Sequence, residues 1–136
     1  MKKISIVLMF MAVVAFVFVG CKKYDDGPAF SLASKKGRVV NVWKIEKMMY
    51  EGVDVPLTGS GYENFTIEYT KDNKVIYTDN GVVDPDQETW DFGDKKETII
   101  TKSTNDADTM MITRLKSKEF WVKSMDGKSE YHMAAK

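Results

Sequence analysis

The stretch FTIEYT (residues 65–70) decides the fold class of this sequence. Its large apolar side chains, Phe65, Ile67 and Tyr69, alternate with polar ones. Because successive side chains of a β-strand point to opposite faces, a period of two indicates a strand with one face in a core and the other in water. A helix would need apolar residues three or four positions apart, so the stretch predicts a strand.

Similar short segments recur along the chain on both sides of this stretch, at intervals of roughly ten residues. Their apolar positions are Trp43 and Ile45, Val75 and Tyr77, Trp90 and Phe92, Ile99, Met110 and Ile112, Phe120 and Val122, and Tyr131 and Met133. Short strands at such spacing are typical of β-sandwiches and β-barrels, so the sequence predicts an all-β domain.

The connections between these segments are short and rich in turn-forming residues. Asn, Asp and Gly tolerate the positive φ that tight hairpins require. Such connections occur at Asp72-Asn73, Asp79-Asn80-Gly81, Asn105-Asp106, Lys116-Ser117-Lys118 and Asp126-Gly127. Consecutive strands joined by hairpins form an antiparallel meander, and closing the meander removes its exposed edges. We therefore predict an antiparallel up-and-down β-barrel of about eight strands over residues 38–136.

The first 21 residues have the pattern of a bacterial lipoprotein signal. Lys2 and Lys3 precede an apolar run over residues 4–19, and Gly20 stands directly before Cys21, the only cysteine of the chain. The run is shorter than the roughly 20 residues that a membrane-spanning helix needs, which favours a cleaved leader over a permanent anchor. We expect residues 1–20 to be a signal peptide and Cys21 to carry a lipid, palmitate included. A chance cysteine behind an ordinary leader, or an uncleaved anchor, is the alternative.

Residues 21–37 are polar and rich in turn formers, and they predict a tether between the lipid and the barrel. Lysine and two aspartates at 23–26 resemble the short acidic tags of surface-exposed lipoproteins, although a plain spacer explains them equally well. The expected location is the bacterial outer membrane, with the protein on its periplasmic or cell-surface face. The membrane, reached through the Cys21 lipid, is thus the first expected partner.

Charge and reactive residues argue against several classes of function. Without the two basic residues of the leader, the chain has 18 basic and 20 acidic residues. This charge balance offers no general attraction to nucleic acid. His132 is the only histidine, and its alternation with Tyr131 and Met133 places it away from the core. No nucleophile, base and orienting residue can be assembled, so we expect no enzymatic activity, no metal site and no cofactor. Calcium at the acidic residues between 79 and 88 is a weak alternative, because their spacing does not match an EF-hand loop.

Several of the strands resemble those of small bacterial lipocalin-like lipoproteins, which have a calycin-type barrel behind a lipobox leader. The resemblance lies in NVWKI (residues 41–45), in QETWDF (residues 87–92), and in the MMITRL and FWV segments at 110–115 and 120–122. Glu51-Gly52 and the residues after it match the first turn of that group. The resemblance implies a barrel or calyx that holds a small apolar molecule.

The barrel interior contains the candidate ligand-binding residues, and two interpretations of it remain open. Eight strands enclose a space that either side chains fill or one small ligand occupies. The predicted ligand-binding side chains are Trp43, Phe65, Tyr69, Trp90, Phe92, Ile112 and Phe120, and Tyr77 is a further inward candidate. If they leave a cavity, we expect a non-catalytic lipoprotein that binds a small apolar ligand. If they fill the lumen, we expect a structural or interaction lipoprotein that acts through its surface.

Overall fold

The computed structural model describes residues 34–136. The predicted signal peptide, Cys21 and most of the predicted tether lie outside the described residues. Among residues 34–136, no helix has the length and apolar character needed to cross a bilayer.

The described part is almost entirely β-structure. Its elements are α1 Lys35–Val39, β1 Asn41–Tyr50, β2 Val53–Val55, β3 Phe65–Tyr69, β4 Lys74–Asp79, β5 Val82–Val83, β6 Glu88–Phe92, β7 Thr98–Lys102, β8 Ala107–Leu115, β9 Glu119–Ser124 and β10 Ser129–Ala135, with one 3₁₀ turn at Asp94–Lys96. Eight strands pair antiparallel in the order β1-β3-β4-β6-β7-β8-β9-β10, and β10 pairs back to β1. The predicted eight-stranded up-and-down barrel is therefore confirmed, with β2 and β5 as short additions beside β1 and β4.

The hairpin connections follow from residues that accept positive φ. Asn73 has φ of 66° between β3 and β4, and Gly127 has φ of 75° between β9 and β10. Asn80 and Gly81, with φ of 47° and 81°, turn the chain from β4 into β5. These values are the left-handed conformation that tight hairpin turns need, so the tight turns predicted at these positions are confirmed.

Helix α1 covers one end of the barrel. The Ser34 side chain caps it by accepting a hydrogen bond from the Gly37 N–H at 3.0 Å. Val39 ends the helix fully buried, and its carbonyl accepts a hydrogen bond from the Trp43 indole N–H at 2.8 Å. Arg38 donates to the Leu115 carbonyl at 2.9 Å, which ties the helix to β8.

A ladder of stacked side chains crosses β8, β9 and β10 on the outer wall. The Arg114 guanidinium lies 4.4 Å from the Trp121 ring centre and pairs with Glu119 at 3.0 Å. The Trp121 ring also stacks with the His132 ring, and the two ring centres are 3.8 Å apart. His132 in turn forms a hydrogen bond with Glu130 at 2.6 Å. His132 therefore lies outside the barrel, in agreement with its alternation with inward-facing neighbours.

Candidate functional site

The two ends of the barrel differ because an up-and-down meander brings alternate strand termini together. The starts of β1, β4, β7 and β9 meet the ends of β3, β6, β8 and β10 at the end covered by α1, which we call the closed end. The remaining strand termini form the open end. Residues 56–64, which connect β2 to β3, bring Leu57 and Tyr62 against the core at this open end.

The closed half of the barrel is filled by side chains. Trp43 and Phe120 are completely buried with ring centres 5.5 Å apart, and Trp90 is 2% exposed. Tyr69 contacts both Trp90 and Phe120 edge-on, each at 5.7 Å between ring centres. Edge-to-face aromatic pairs at this separation are favourable packing, so this half is a solid core.

The open half encloses a cavity of about 420 Å³, which we call the inner cavity. Its wall is formed by inward-facing residues of seven of the eight barrel strands, together with the loop before β3. They are Ile45, Tyr62, Phe65, Ile67, Tyr69, Tyr77, Ile99, Thr101, Asp108, Met110, Val122, Ser124, Ser129, Tyr131 and Met133. Apolar and aromatic surface dominates this list, with a few hydroxyls and one carboxylate, which is the usual lining of a small-molecule site. The barrel is thus solid at one end and hollow at the other.

Tyrosine hydroxyls and two carboxylates are among the polar groups of this region. The Tyr77 hydroxyl donates a 2.6 Å hydrogen bond to Glu88. Burial, with the nearby charges of Glu88 and Asp108, raises the pKa of Tyr69 above its usual range. The pKa of Tyr77 is raised by burial and by its hydrogen bond to Glu88, and that of Tyr131 is raised mainly by burial. These phenols therefore stay neutral under all ordinary conditions.

A gap in the barrel wall lies beside the inner cavity. Strand β4 pairs with β6 only at Lys74 with Thr89 and at Val75 with Glu88, and its far end pairs with β5 instead. A second cavity of about 470 Å³ lies at this gap, and we call it the acidic vestibule. It is lined by Phe65, Tyr77, Asp84, Asp86, Gln87, Glu88, Ser103, Thr104 and Asn105. Phe65 and Tyr77 line both spaces, so their rings separate the vestibule from the inner cavity.

The seven side chains predicted to bind a ligand fall into two groups. Phe65 and Tyr69 line the inner cavity. The others are packed in the core or toward the closed end, where no ligand has room: Trp43, Trp90, Ile112 and Phe120 are buried, and Phe92 is half-buried against Trp90. For Phe65 and Tyr69, ligand contact stays a prediction. The other five residues do not line the inner cavity, so the structure offers no support for ligand contact there.

Asp108, Glu88 and Tyr62 are among the polar residues of the site that the sequence analysis did not assign to ligand binding. Asp108 shares the inward face of β8 with Met110, and Glu88 shares that of β6 with Trp90, because each lies two residues away along its strand. That alternation was a usable signal, although carboxylates are ordinarily assigned to the surface. Tyr62 lies in an irregular loop, where no periodicity indicates its orientation. In residues 34–136, no three or more His, Cys, Asp or Glu side chains are grouped so as to hold a metal ion.

The raised pKa of Tyr69 predicts a specific alkaline sensitivity. In the unfolded chain a tyrosine ionises near its ordinary pKa of about 10, whereas the native state keeps Tyr69 protonated to higher pH. The native state thus binds more protons above about pH 10, and its stability falls as pH rises through that region. We expect Tyr69→Phe to make this decline shallower, as measured by urea midpoints at a series of alkaline pH values. Tyr50→Phe, at a half-exposed position, is the control, and equal declines in both variants and the parent would contradict the assignment.

Comparisons with known proteins support the fold and do not identify a function. No protein-family model matches the chain, and no curated protein matches its sequence. Among solved structures, the chain is similar to a DUF4847 family protein from Bacteroides vulgatus, with a TM-score of 0.53 and 10% sequence identity. The match covers 71% of this chain and 93% of that chain. At this identity the similarity shows a shared fold, which agrees with the closed antiparallel barrel described above.

Proposed function

We propose that this protein is a cell-envelope lipoprotein whose barrel binds a small, largely apolar molecule without transforming it. The observation that carries the proposal is the inner cavity of about 420 Å³ above a solid aromatic core. Small-molecule sites typically have volumes of roughly 300–1,000 Å³, so the space is sufficient for one compact ligand. Its predominantly apolar wall favours a ligand whose body is hydrophobic.

Binding without catalysis is supported by where the reactive side chains lie. The imidazole of His132 stacks on Trp121 at the outer wall, and His132 does not line the inner cavity. Burial raises the pKa values of Tyr69, Tyr77 and Tyr131, which line the cavity, and this makes them poor bases and poor nucleophiles. These side chains are suited to hydrogen-bonding a ligand.

The proposed location is the outer membrane, with the lipid on Cys21 as the anchor. The support for it is the basic, apolar and small-residue order of the first 21 residues. These residues lie outside the described part of the chain, so the proposal rests on the sequence alone.

A second candidate function is the binding of a protein partner at the open end. Several large apolar side chains are exposed there, on or beside the hairpins that surround the opening. They are Tyr50, Val53, Val82, Val83 and Met125, and Val82 is 72% exposed. Exposed apolar groups of this kind favour an interaction surface, which would make the barrel a scaffold for its loops.

Filling the inner cavity should separate these two functions. Thr101 lines the inner cavity, and we expect Thr101→Trp to weaken binding of the neutral fluorescent probe N-phenyl-1-naphthylamine by about tenfold or more, because the indole occupies the ligand's space. Thr109→Trp on the neighbouring strand makes the same change outside the lining and should leave the affinity unchanged. Fluorescence titration measures both, with circular dichroism confirming the fold. Absence of saturable binding by the parent protein, or equal losses in the two variants, would favour the partner-binding candidate.

A further inference from the structure

The charged groups around the two cavities have a single sign. Asp84, Asp86 and Glu88 line the acidic vestibule, and Asp108 lines the inner cavity. Of the described residues that line either space, none is Lys, Arg or His. Opposing low-dielectric walls with charges of one sign concentrate the field between them, so the region attracts positive charge and repels anions.

Tyr69 provides a polar group that faces the inner cavity. Its side chain is 6% exposed and lines the inner cavity, and its hydroxyl makes no hydrogen bond to any residue of 34–136. The hydroxyl is not among the fully buried unpaired atoms of residues 34–136, so water or a polar ligand atom in the cavity can reach it. A phenol hydroxyl both donates and accepts, so it can accept a hydrogen bond from a ligand N–H.

Aromatic faces line the boundary between the cavities. Phe65 and Tyr77 stack with ring centres 5.9 Å apart, and Tyr62 packs edge-on against Phe65 at 5.5 Å. The cation–π pairs found in the described part of the chain involve Trp90, Phe92 and Trp121, so no side-chain cation covers these three rings. Rings in this position attract a ligand cation through their quadrupoles.

We infer that the ligand is an amphipathic organic ammonium compound, whose apolar body lies in the inner cavity and whose positive head lies near Glu88 and Asp108. This inference rests on the proposed function and adds the chemical class of the ligand. A bare metal ion fits less well, because residues 34–136 contain no group of three or more side chains arranged to ligate one. An anionic lipid or fatty acid would place its carboxylate against carboxylates of the protein.

A charge series with a constant body tests the inference. The probes are 4-phenylbutylamine, 4-phenylbutanol and 4-phenylbutyrate, which are cationic, neutral and anionic near neutral pH and share one phenylbutyl body. In isothermal titration calorimetry of the whole purified protein, we expect the amine to bind about tenfold more tightly than the alcohol, and the carboxylate to bind most weakly. Raising the salt concentration should reduce the advantage of the amine and leave the alcohol unchanged.

Two substitutions locate the origin of that preference. Glu88→Gln should reduce the ratio of amine affinity to alcohol affinity several-fold, and Asp108→Asn should act in the same direction. Asp91→Asn is the matched control, because Asp91 lies on the same strand as Glu88 and lines neither cavity. An alcohol that binds as tightly as the amine, or a carboxylate that binds best, would overturn the inference and leave the proposed function standing. Failure of all three probes to bind at millimolar concentration would overturn both, and the wild-type series alone decides this even if a variant does not fold.

Discussion

Replacing Trp43 with alanine is expected to destabilise the barrel by about 3–5 kcal/mol, the usual cost of removing a large aromatic side chain from a packed core. The side chain is completely buried and packs against the Phe120 ring. Its indole N–H also donates a hydrogen bond to the Val39 carbonyl, so the substitution removes one of the contacts that hold α1 at the closed end as well as leaving a void. Urea denaturation monitored by circular dichroism measures the effect as a shift of the midpoint at constant slope.

Two further tryptophan substitutions show whether the loss comes from packing. Trp121→Ala removes the same side chain from the outer wall, where it stacks with Arg114 and His132, and we expect a cost below about 2 kcal/mol because no internal void forms. Trp43→Phe keeps part of the ring volume but removes the N–H, so its cost should lie between the two. If Trp43→Ala costs no more than Trp121→Ala, the closed half is not the solid core described here.

Replacing Cys21 with alanine is expected to abolish lipid attachment completely. The predicted acyl groups are carried by the sulfur and the new N-terminus of Cys21, and alanine offers no atom for the thioether. Because two or more acyl chains are needed for stable anchoring, the change should release the protein from the membrane fraction. The measurement is incorporation of labelled palmitate, together with the distribution of the protein between membrane and soluble fractions.

Processing supplies an independent readout of the same prediction. Globomycin, which inhibits the lipoprotein signal peptidase, should cause a heavier precursor of the parent protein to accumulate. Ser31→Ala, a change in the predicted tether that keeps Cys21, is the control and should be labelled like the parent. Membrane retention of Cys21→Ala equal to that of the parent, without any palmitate label, would instead indicate an uncleaved apolar anchor over residues 4–19.

The fold was largely predictable because its determinants are local. The alternation at Phe65, Ile67 and Tyr69 persists in β3, where Tyr69 reaches the core, and the turn residues Asn73 and Gly127 adopt the expected positive φ. Each of these features depends on neighbours within a few residues. Closure then follows from the number of strands and from the need to pair the first with the last.

The division of the interior was not predictable from the sequence, because it depends on distances between strands far apart in the chain. Trp43 and Phe65 have the same apolar, inward signature, yet one is sealed in the core and the other lines a cavity. The two residues differ in their position along the barrel axis. That position depends on the pairing register of all eight strands. The gap between β4 and β6 has the same origin, since these strands are paired in the sheet at only two residue pairs.

The cover that α1 forms over the closed end has a kinetic consequence. A molecule held in the inner cavity has to leave by the half of the barrel through which it arrived, so association and dissociation cross the same barrier. A substitution in the loops around the opening that touches no bound ligand would then change both rate constants by one factor and leave Kd as it was. Under the proposed function, the barrel would hold its ligand for a time set by that barrier, and the solid closed half would offer the ligand no passage to the other end.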